Sequence, residues 1–334
     1  MNNILITGHL GYIGPHMINV LREKGNCKIF GCDINLFGNE AWRELPKPDE
    51  EWIKDFRDLS EEELSKIDIV IHLAAISNDP MGELDPNIAT NINAIGTMKF
   101  AETCKKAGVK RFLMSSSCSI YGKSDKFDMV ETDKTEPLTT YAKSKIYVEE
   151  RLDGLSSKEF CVSFLRNSTA YGDSPNLRID LVVNNFLACA VATNEIRIMS
   201  DGSPWRPLIH CKDIANAFSV FVDAPSDLIN RQVVNIGTNN QNFQVKDVAN
   251  IAQKIFPNCS IKFTGEAVND SRDYKVNFYK FNKMFPDFCF EYSLEEGMQE
   301  LASRLTDSSF TASDFDGDQF VRLRIISKKL ELLT

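Results

Sequence analysis

The chain has 334 residues, of which 43% are hydrophobic and 25% charged, and its formal net charge is −9. These values are typical of a globular protein of one large or two ordinary domains, and they exclude a disordered or collagen-like chain. The acidic balance, without a run of Lys or Arg, argues against binding to nucleic acid or to an anionic membrane surface. No uncharged apolar stretch reaches the roughly 20 residues of a membrane helix, and no basic segment before an apolar core predicts a signal peptide.

The placement of cysteine and histidine argues against disulfides and metal sites. The nine cysteines are scattered and include no Cys-x-x-Cys pair, which is typical of a protein in a reducing compartment. We therefore predict a cytoplasmic protein. The four histidines, at positions 9, 16, 72 and 210, have no ligand spacing, so we predict no metal site.

Short apolar strands alternate with amphipathic helices through the first half of the chain. The predicted strands are Ile4–Thr7, Lys28–Cys32, Ile69–His72, Arg111–Ser115 and Cys161–Leu165. The predicted helices between them are Ile13–Lys24, Ala89–Ala107 and Tyr141–Leu152. This alternation predicts parallel βαβ units, and therefore an α/β protein with a Rossmann-type, doubly wound parallel sheet.

The pattern loosens after Tyr171, which predicts a smaller C-terminal lobe. The predicted elements there are the helices Leu181–Thr193 and Val245–Phe256 and the strands Pro207–His210 and Val233–Gly237. We assign residues 1–172 to the Rossmann domain and residues 173–334 mainly to a substrate-binding lobe, and we expect strands near 207–240 to return to the first domain. No linker composition marks the boundary, so the two parts are expected to share an interface.

Three glycines lie between the first predicted strand and the first predicted helix. Gly8, Gly11 and Gly14 are spaced three apart, which allows a tight turn and close approach of the backbone to a pyrophosphate at the helix N-terminus. Asp33 comes 19 residues after Gly14, at the end of the second strand. A carboxylate there accepts hydrogen bonds from ribose hydroxyls and repels a 2′-phosphate, so the sequence predicts NAD rather than NADP as the cofactor.

A tyrosine and a lysine open the predicted helix Tyr141–Leu152. Tyr141 and Lys145 are four residues apart and therefore share one helix face. An ammonium near a phenol favours the phenolate, which can take a proton from a sugar hydroxyl. A serine-rich segment, residues 115–119, ends the fourth predicted strand, where parallel sheets carry their ligands. Each feature alone also fits a solvated helix face or a polar strand exit.

Together these segments resemble the extended short-chain dehydrogenase/reductase family, in its branch of NAD-dependent nucleotide-sugar epimerases and dehydratases. The resemblance covers nearly the whole chain and includes the turn Thr7–Gly14 and the helix segment Asn93–Thr97. It implies that Ser117, Tyr141 and Lys145 are catalytic. It also implies contacts to NAD from residues of the turn, the strand ends and the helices: Gly8, Gly11, Tyr12, Ile13, Gly14, Asp33, Asp58, Leu59, Leu73, Ala74, Ala75, Asn93, Ser115, Tyr141 and Lys145.

The substrate side departs from the family pattern. In the family's 4,6-dehydratases, carboxylates after the catalytic Ser or Thr remove the C5 proton and protonate the leaving hydroxyl; Cys118 and Ser119 stand there in this chain, which disfavours 4,6-dehydration. Thr169 replaces a common Asn. The segment Asp270–Val276 resembles bacterial members that act in surface-polysaccharide pathways. The residues expected to contact the substrate are Ser117, Cys118, Ser119, Asn167, Thr169, Asn185, Arg206 and Arg272.

Three functions therefore compete. The first is a nucleotide-sugar 4-epimerase that retains NAD and acts in surface-polysaccharide biosynthesis. The second is a C4 dehydrogenase, 4-ketoreductase or dehydratase with the same Ser, Tyr and Lys. The third, a non-catalytic NAD-binding scaffold, is disfavoured because Tyr141 and Lys145 are both present. The expected partner is a nucleoside-diphosphate sugar, and the family resemblance predicts a homodimer paired through the helices Ala89–Ala107 and Tyr141–Leu152.

Overall fold

A computed structural model describes residues 1–77, 85–124, 126, 128–265 and 272–331. Its strands are β1 (Asn2–Thr7), β2 (Cys27–Asp33), β3 (Glu50–Ile53), β4 (Ile69–His72), β5 (Arg111–Ser117), β6 (Cys161–Asn167), β7 (Thr169–Tyr171), β8 (Glu195–Ile198), β9 (Trp205–His210), β10 (Gln232–Ile236), β11 (Asn242–Gln244) and β12 (Ser260–Phe263). Its helices are α1 (Gly14–Lys24), α2 (Glu61–Leu64), α3 (Pro86–Thr90), α4 (Thr97–Lys106), α5 (Thr140–Leu152), α6 (Val182–Thr193), α7 (Cys211–Asp223), α8 (Ser226–Ile229), α9 (Val245–Ile255), α10 (Tyr279–Met284), α11 (Leu294–Asp307), α12 (Ala312–Asp316) and α13 (Arg322–Glu331). None of these helices is long and apolar enough to cross a bilayer.

Seven strands form one parallel sheet in the order β3-β2-β1-β4-β5-β6-β10. The chain builds the sheet outward from β1 in one direction and from β4 in the other. This is the strand order of a Rossmann fold, and it leaves a crevice beyond the carboxyl ends of the strands where the order reverses. The prediction of a doubly wound parallel α/β sheet is confirmed.

Helices cover both faces of the large sheet because successive residues of a strand point to opposite sides. Ile4 and Ile6 of β1 pack with α1 and α7 on one face. Leu5 packs with Phe100 of α4 and Val148 of α5 on the other face. The apolar side chains of β1 thus contribute to two cores, one on each face of the sheet. Since both faces are covered, the polar side chains of this sheet are concentrated at the ends of the strands.

The second half of the chain builds a smaller lobe with its own core. Strands β11, β9 and β7 form one small sheet, and β12 pairs with β8 in another. Helices α6, α9 and α11 contribute to the core beside them. Within the region 207–240, which was expected to return to the first domain, β10 lies in the large sheet, whereas β9 belongs to the three-stranded sheet. The domain boundary at residue 172 stays a prediction.

Several helical regions differ from the sequence prediction. The helix predicted over Ala89–Ala107 begins at Pro86, because the Asp85 side chain caps its N-terminus, and a π-helical segment over residues 91–96 separates α3 from α4. Helix α11 was not predicted, although Ser293 and Glu296 form a capping box at its start.

A buried ion pair fixes α5 against the large sheet. Arg166 Nη2 of β6 donates to Glu149 Oε2 of α5 at 2.7 Å, and Arg166 Nη1 donates to the Tyr121 hydroxyl at 3.0 Å. Tyr121 donates in turn to Asn235 Oδ1 of β10 at 2.8 Å, and Ser116 of β5 donates to Glu149. Burial disfavours the charged form of Arg166. The attraction of the Glu149 carboxylate is stronger than this effect, so the pKa of the guanidinium is raised. The network therefore joins α5 to three neighbouring strands.

We expect Arg166→Met to lower the free energy of unfolding by about 3–5 kcal/mol, because it leaves the buried Glu149 carboxylate without its cation. Urea unfolding followed by circular dichroism measures the loss. Adding Glu149→Gln removes the stranded charge and should recover part of the stability. A loss below about 1 kcal/mol in the single variant would contradict the assignment, since that is the value of an exposed pair.

Candidate functional site

A cavity of about 1580 Å³ lies beyond the carboxyl ends of β1, β2, β4, β5 and β6. It exceeds the roughly 300–1,000 Å³ that is usual for one small ligand, so it has room for two ligands side by side. One wall is formed by the strand ends of the large sheet. The facing wall comes from residues 178–186, from β9 and from the start of α13.

The glycine turn leaves its part of the cavity wall free of side chains. Gly8 has a φ of +78°, and a Cβ atom on it would lie 2.8 Å from the Ala74 nitrogen. A Cβ atom on Gly14 would lie 2.2 Å from the His9 carbonyl oxygen. Both clashes involve backbone, so the turn keeps its shape only with glycine, and it fits a pyrophosphate bound at the N-terminus of α1. The turn residues that line the cavity are Gly8, Gly11, Tyr12, Ile13 and Gly14.

The side chain of Tyr12 ties the glycine turn to the C-terminal lobe. Its hydroxyl donates to the Gly172 carbonyl oxygen at 2.6 Å and accepts from Asn184 Nδ2 at 3.0 Å. Ser174 Oγ donates to the Tyr12 carbonyl oxygen at 2.8 Å. Since the phenol is bonded within the protein, Tyr12 positions the turn relative to the facing wall.

Asp33 lies at the end of β2 and lines the cavity beside the turn. Its carboxylate accepts from Asn35 N at 2.9 Å and from Leu10 N at 3.3 Å. Burial raises the pKa of this carboxyl group, and the two backbone N–H groups oppose the rise. A carboxylate accepts about four hydrogen bonds, so two positions are left for ribose hydroxyls.

The side chains of the acidic segment after β3 point in other directions than the predicted contacts with the cofactor require. Asp58 and Leu59 were expected to contact the cofactor, but neither lines the cavity. Asp58 is exposed and Leu59 is buried in the sheet core. The 3-10 turn over residues 56–58 turns the first part of the segment toward the cavity, and Asp55 and Phe56 line it instead.

Asn93 also acts from outside the cavity rather than in its wall. Its Oδ1 accepts from Ile76 N at 2.8 Å and its Nδ2 donates to Ile76 O at 3.0 Å, so it holds a residue that does line the cavity. Thr97 Oγ1 lies 2.9 Å from His72 Nε2, and His72 Nδ1 lies 2.8 Å from Thr7 Oγ1. Burial lowers the pKa of His72 to about 3, so the imidazole is a neutral link between β1, β4 and α4.

Tyr141 and Lys145 lie one helical turn apart on α5, and both line the cavity. Lys145 Nζ lies 5.3 Å from the centroid of the Tyr141 ring and donates to the Ser115 carbonyl oxygen at 2.7 Å. Lys145 is only 2% exposed, and burial lowers the pKa of its ammonium to about 8, although Glu149 opposes this. A cation held beside a phenol favours the phenolate, which is what proton transfer by Tyr141 requires.

Ser117 and Ser119 line the cavity, whereas Cys118 between them does not. Ser117 Oγ donates to Ser119 Oγ at 2.9 Å. Cys118 is fully buried, and its thiol donates to the Arg166 carbonyl oxygen at 3.1 Å. The 3-10 turn that begins at Cys118 directs this side chain into the core, where burial raises the pKa of the thiol. This corrects the prediction that Cys118 contacts the substrate, and it removes the thiol as an acid or base.

The other predicted substrate residues all line the cavity: Asn167, Thr169, Asn185, Arg206 and Arg272. Asn167 Oδ1 is buried and has no hydrogen-bond partner within the described residues. Arg206 Nη1 donates to the Arg272 carbonyl oxygen at 2.5 Å, so the two arginines are adjacent. Asp270 and Ser271 of the predicted segment lie outside the described residues.

Sequence analysis missed two buried arginines of the facing wall. Arg178 is 7% exposed and forms a bidentate pair with Asp180, at 3.0 Å from Nε to Oδ1 and 2.8 Å from Nη2 to Oδ2. Arg322, at the start of α13, is 4% exposed and donates from Nη2 to Asn176 Oδ1 at 2.7 Å. The Arg-x-Asp spacing is a weak signal for the first residue, and no motif marks the second.

Residues 4–237 match the family model of the NAD dependent epimerase/dehydratase family. The chain belongs to this family. NAD is therefore its cofactor, and the predicted resemblance and the predicted cofactor are both confirmed. The match includes the glycine turn, Asp33 and the Tyr141–Lys145 pair, which lie together along one cavity.

Similar proteins act on nucleotide sugars. The chain is 27% identical over 334 residues to the trifunctional UDP-glucose 4,6-dehydratase/UDP-4-keto-6-deoxy-D-glucose 3,5-epimerase/UDP-4-keto-L-rhamnose-reductase RHM3 of Arabidopsis thaliana, with 94% of this chain and 49% of that protein covered. It is 26% identical to the UDP-glucose 4-epimerase of Neisseria meningitidis serogroup C, with 71% and 78% covered. The solved structure of MoeE5 in complex with UDP-glucuronic acid and NAD is 25% identical with a TM-score of 0.79, covering 92% and 99%. The chain spans about half the length of the plant enzymes it matches.

We expect Asp33→Ala to weaken NAD binding about 10- to 100-fold and to narrow the preference for NAD over NADP. The carboxylate supplies charge-assisted hydrogen bonds to the ribose and repels a 2′-phosphate. Calorimetric titration of both dinucleotides measures the change. Asp58→Ala is the matched control, because that carboxylate is exposed and does not line the cavity. Equal losses in the two variants would contradict the placement of Asp33.

We expect turnover to fall as the pH rises through about 8. The pKa of Lys145 is lowered to about 8, so its ammonium is present below that pH and is lost above it, together with its effect on Tyr141. Profiles of kcat between pH 6 and pH 10 measure this limb. In Lys145→Arg the cation persists to much higher pH, so the remaining turnover should lack the decline. The same decline in both proteins would assign it to another group.

Proposed function

We propose that the chain is a nucleotide-sugar epimerase that acts by transient oxidation at C4 of the hexose and retains NAD throughout. One observation carries the proposal: Tyr141, Lys145 and Ser117 line the same cavity as the glycine turn, while the position after Ser117 holds a buried thiol and not a carboxylate. The site therefore has the groups for reversible proton removal at one hydroxyl. Within the described residues, Cys118 and Ser119 stand where the 4,6-dehydratase pattern places the acid that expels a second hydroxyl.

The protein's own residues handle the proton and hold the sugar. When bound, NAD would supply the acceptor and the donor of the C4 hydride. Tyr141 takes the proton of the C4 hydroxyl and gives it back, with its phenolate favoured by the Lys145 ammonium. Ser117 donates a hydrogen bond to the C4 oxygen once its hydroxyl turns away from Ser119 Oγ. Rotation of the 4-keto sugar between the two proton transfers would present its other face to the cofactor, so the product is the C4 epimer.

Two adjacent arginines provide the site for the substrate diphosphate in this proposal. Arg206 is 7% exposed in β9, and its Nη1 is anchored on the Trp205 and Arg272 carbonyl oxygens. Its guanidinium is thus held rigidly, and Arg272 lines the cavity beside it. Planar donors in this position fit the oxygens of a nucleoside diphosphate.

A dehydratase is the second candidate, favoured by the 4,6-dehydratase activity in the name of the plant relative. Elimination of water needs a base at C5 and an acid at the leaving hydroxyl. Among the residues that the structure describes, the carboxylates that line the cavity are Asp33, Asp55, Asp85 and Asp180. Asp180 is paired with Arg178, and Asp85 caps α3. The dehydratase pattern requires a carboxylate next to the catalytic Ser or Thr in the sequence, and none of the four is next to Ser117.

Analysis of products separates the candidate reactions. The protein is incubated with UDP-, GDP-, CDP- and dTDP-hexoses, and the products are examined by mass spectrometry and NMR. A product of unchanged mass with inverted C4 supports the epimerase. Loss of water identifies a dehydratase, and a two-electron oxidation with release of NADH identifies a dehydrogenase; either result overturns the proposal.

We expect Tyr141→Phe to keep its fold and its NAD affinity while turnover falls by about 10²–10⁴, because only the proton carrier is removed. Ser117→Ala should lose less, since it removes one hydrogen bond. Tyr147→Phe, on the same helix but outside the cavity, is the control. Near-full turnover of Tyr141→Phe on the identified substrate would contradict this mechanism.

Self-association and location stay predictions. Ile95 is 39% exposed and lies in the segment Ala89–Ala107, which the family resemblance predicts to pair in a homodimer. A role in surface-polysaccharide biosynthesis is part of the proposal and rests on the resemblance of the segment Asp270–Val276, whereas a cytoplasmic location rests on the scattered cysteines.

A further inference from the structure

The first turn of α13 forms part of the wall that faces the glycine turn. Val321, Arg322, Leu323, Arg324 and Ile326 all line the cavity. Arg322 is the most buried of the charged residues among them, at 4% exposure. Its guanidinium lies 3.9 Å from the centroid of the Phe37 ring. A charged side chain from the C-terminal end of the described chain is thus held inside the cavity.

Asn176 joins Arg322 to both segments that flank the dinucleotide. Asn176 Oδ1 accepts from Arg322 Nη2 at 2.7 Å. Asn176 Nδ2 donates to the Leu10 carbonyl oxygen in the glycine turn at 2.6 Å and to the Phe37 carbonyl oxygen after β2 at 3.2 Å. The guanidinium therefore lies beside the turn that carries the pyrophosphate site and near Asp33, whose negative charge acts on it.

The guanidinium has an unused donor. Arg322 Nη1 is buried and has no hydrogen-bond partner within the described residues. The partners of Nη2 are the side-chain amide and the carbonyl oxygen of Asn176, and neither carries a charge. Burial, together with the nearby Arg178, lowers the pKa of Arg322 to about 9. A buried cation with an unbonded N–H group is costly by itself, so the arrangement is suited to receive an anion.

We propose that Arg322 binds the pyrophosphate of NAD through its free Nη1 donor, so that α13 closes the dinucleotide site from the C-terminal lobe. A planar guanidinium fits phosphate oxygens, and the glycine turn brings a pyrophosphate to the side where Arg322 is anchored. The neighbouring Asp33 carboxylate repels a 2′-phosphate, which favours the pyrophosphate over the extra phosphate of NADP. This inference rests on the NAD dependence of the family and not on the proposed reaction.

The test measures binding to nucleotide-free protein by calorimetry, with NAD, ADP, adenosine, NADP and UDP as ligands. We expect Arg322→Met to weaken NAD and ADP about 10- to 100-fold, with adenosine and UDP within about twofold. Arg304→Met is the control. It removes the same charge from the same lobe, but Arg304, on α11, is exposed and does not line the cavity. NAD affinity of this control should stay within about twofold.

Several results would overturn the proposal. Unchanged NAD affinity in Arg322→Met would remove Arg322 from the site. A loss confined to NADP would place the guanidinium at the ribose 2′-position instead. Equal losses for UDP would mean that α13 supports the cavity only as a whole, and equal losses in Arg304→Met would mean that the total charge of the lobe, and not Arg322, sets the NAD affinity. Thermal melting of the nucleotide-free proteins controls for folding, and Arg322→Gln, which keeps a polar side chain, replaces the methionine variant if that one melts lower.

Discussion

The reversal of strand order between β1 and β4 is the constraint on which the rest of the site depends. The sheet is parallel and covered on both faces, so apolar side chains fill its strands and polar groups collect at the strand ends. Where the order reverses, the chain leaves β1 and β4 toward opposite sides, and the resulting crevice is open to ligands. Asp33, Ala74, Ser117 and Asn167 come from four different strands or strand ends, yet they line one cavity because those ends share an edge.

The second wall of the crevice is positioned by hydrogen bonds to the main chain of the glycine turn and to the side chain of Tyr12 within it. Tyr12 bonds to Gly172, and Asn176 bonds to Leu10, so the turn and the segment after β7 hold each other. These contacts depend on the shape of the turn, which only glycine at Gly8 and Gly14 permits. The turn that accommodates a pyrophosphate therefore also fixes the position of the facing wall. It thereby sets the width of the cavity in which two ligands would bind.

Parts of the site defined by short, fixed spacing could be predicted from the sequence. The glycine turn, and Tyr141 with Lys145, follow directly because a spacing of three or four residues maps onto one turn or one helix face. Prediction failed where a local turn decides the direction of a side chain. Cys118 follows Ser117 in a 3-10 turn that buries the Cys118 side chain, and a different 3-10 turn directs the Asp58 side chain outward. The position of Arg322 could not be predicted from the sequence for a different reason. Its place in the cavity depends on how the C-terminal lobe packs, and spacing along the chain carries no information about that.

Buried cations explain how a chain with a net charge of −9 accommodates anionic ligands. Arg166 and Arg178 have carboxylate partners, so their charges are compensated within the protein. Lys145 and Arg322 donate to carbonyl and amide oxygens, and burial lowers the pKa of the first to about 8 and of the second to about 9. A cation buried without a counter-ion destabilises the protein when the site is empty. Binding of an anion removes this unfavourable free energy, which therefore contributes to the affinity for the ligand. The low dielectric of the cavity strengthens this attraction, and salt screens it less than it screens the acidic surface. The placement of uncompensated cations, and not the net charge, therefore determines which ligands the cavity attracts.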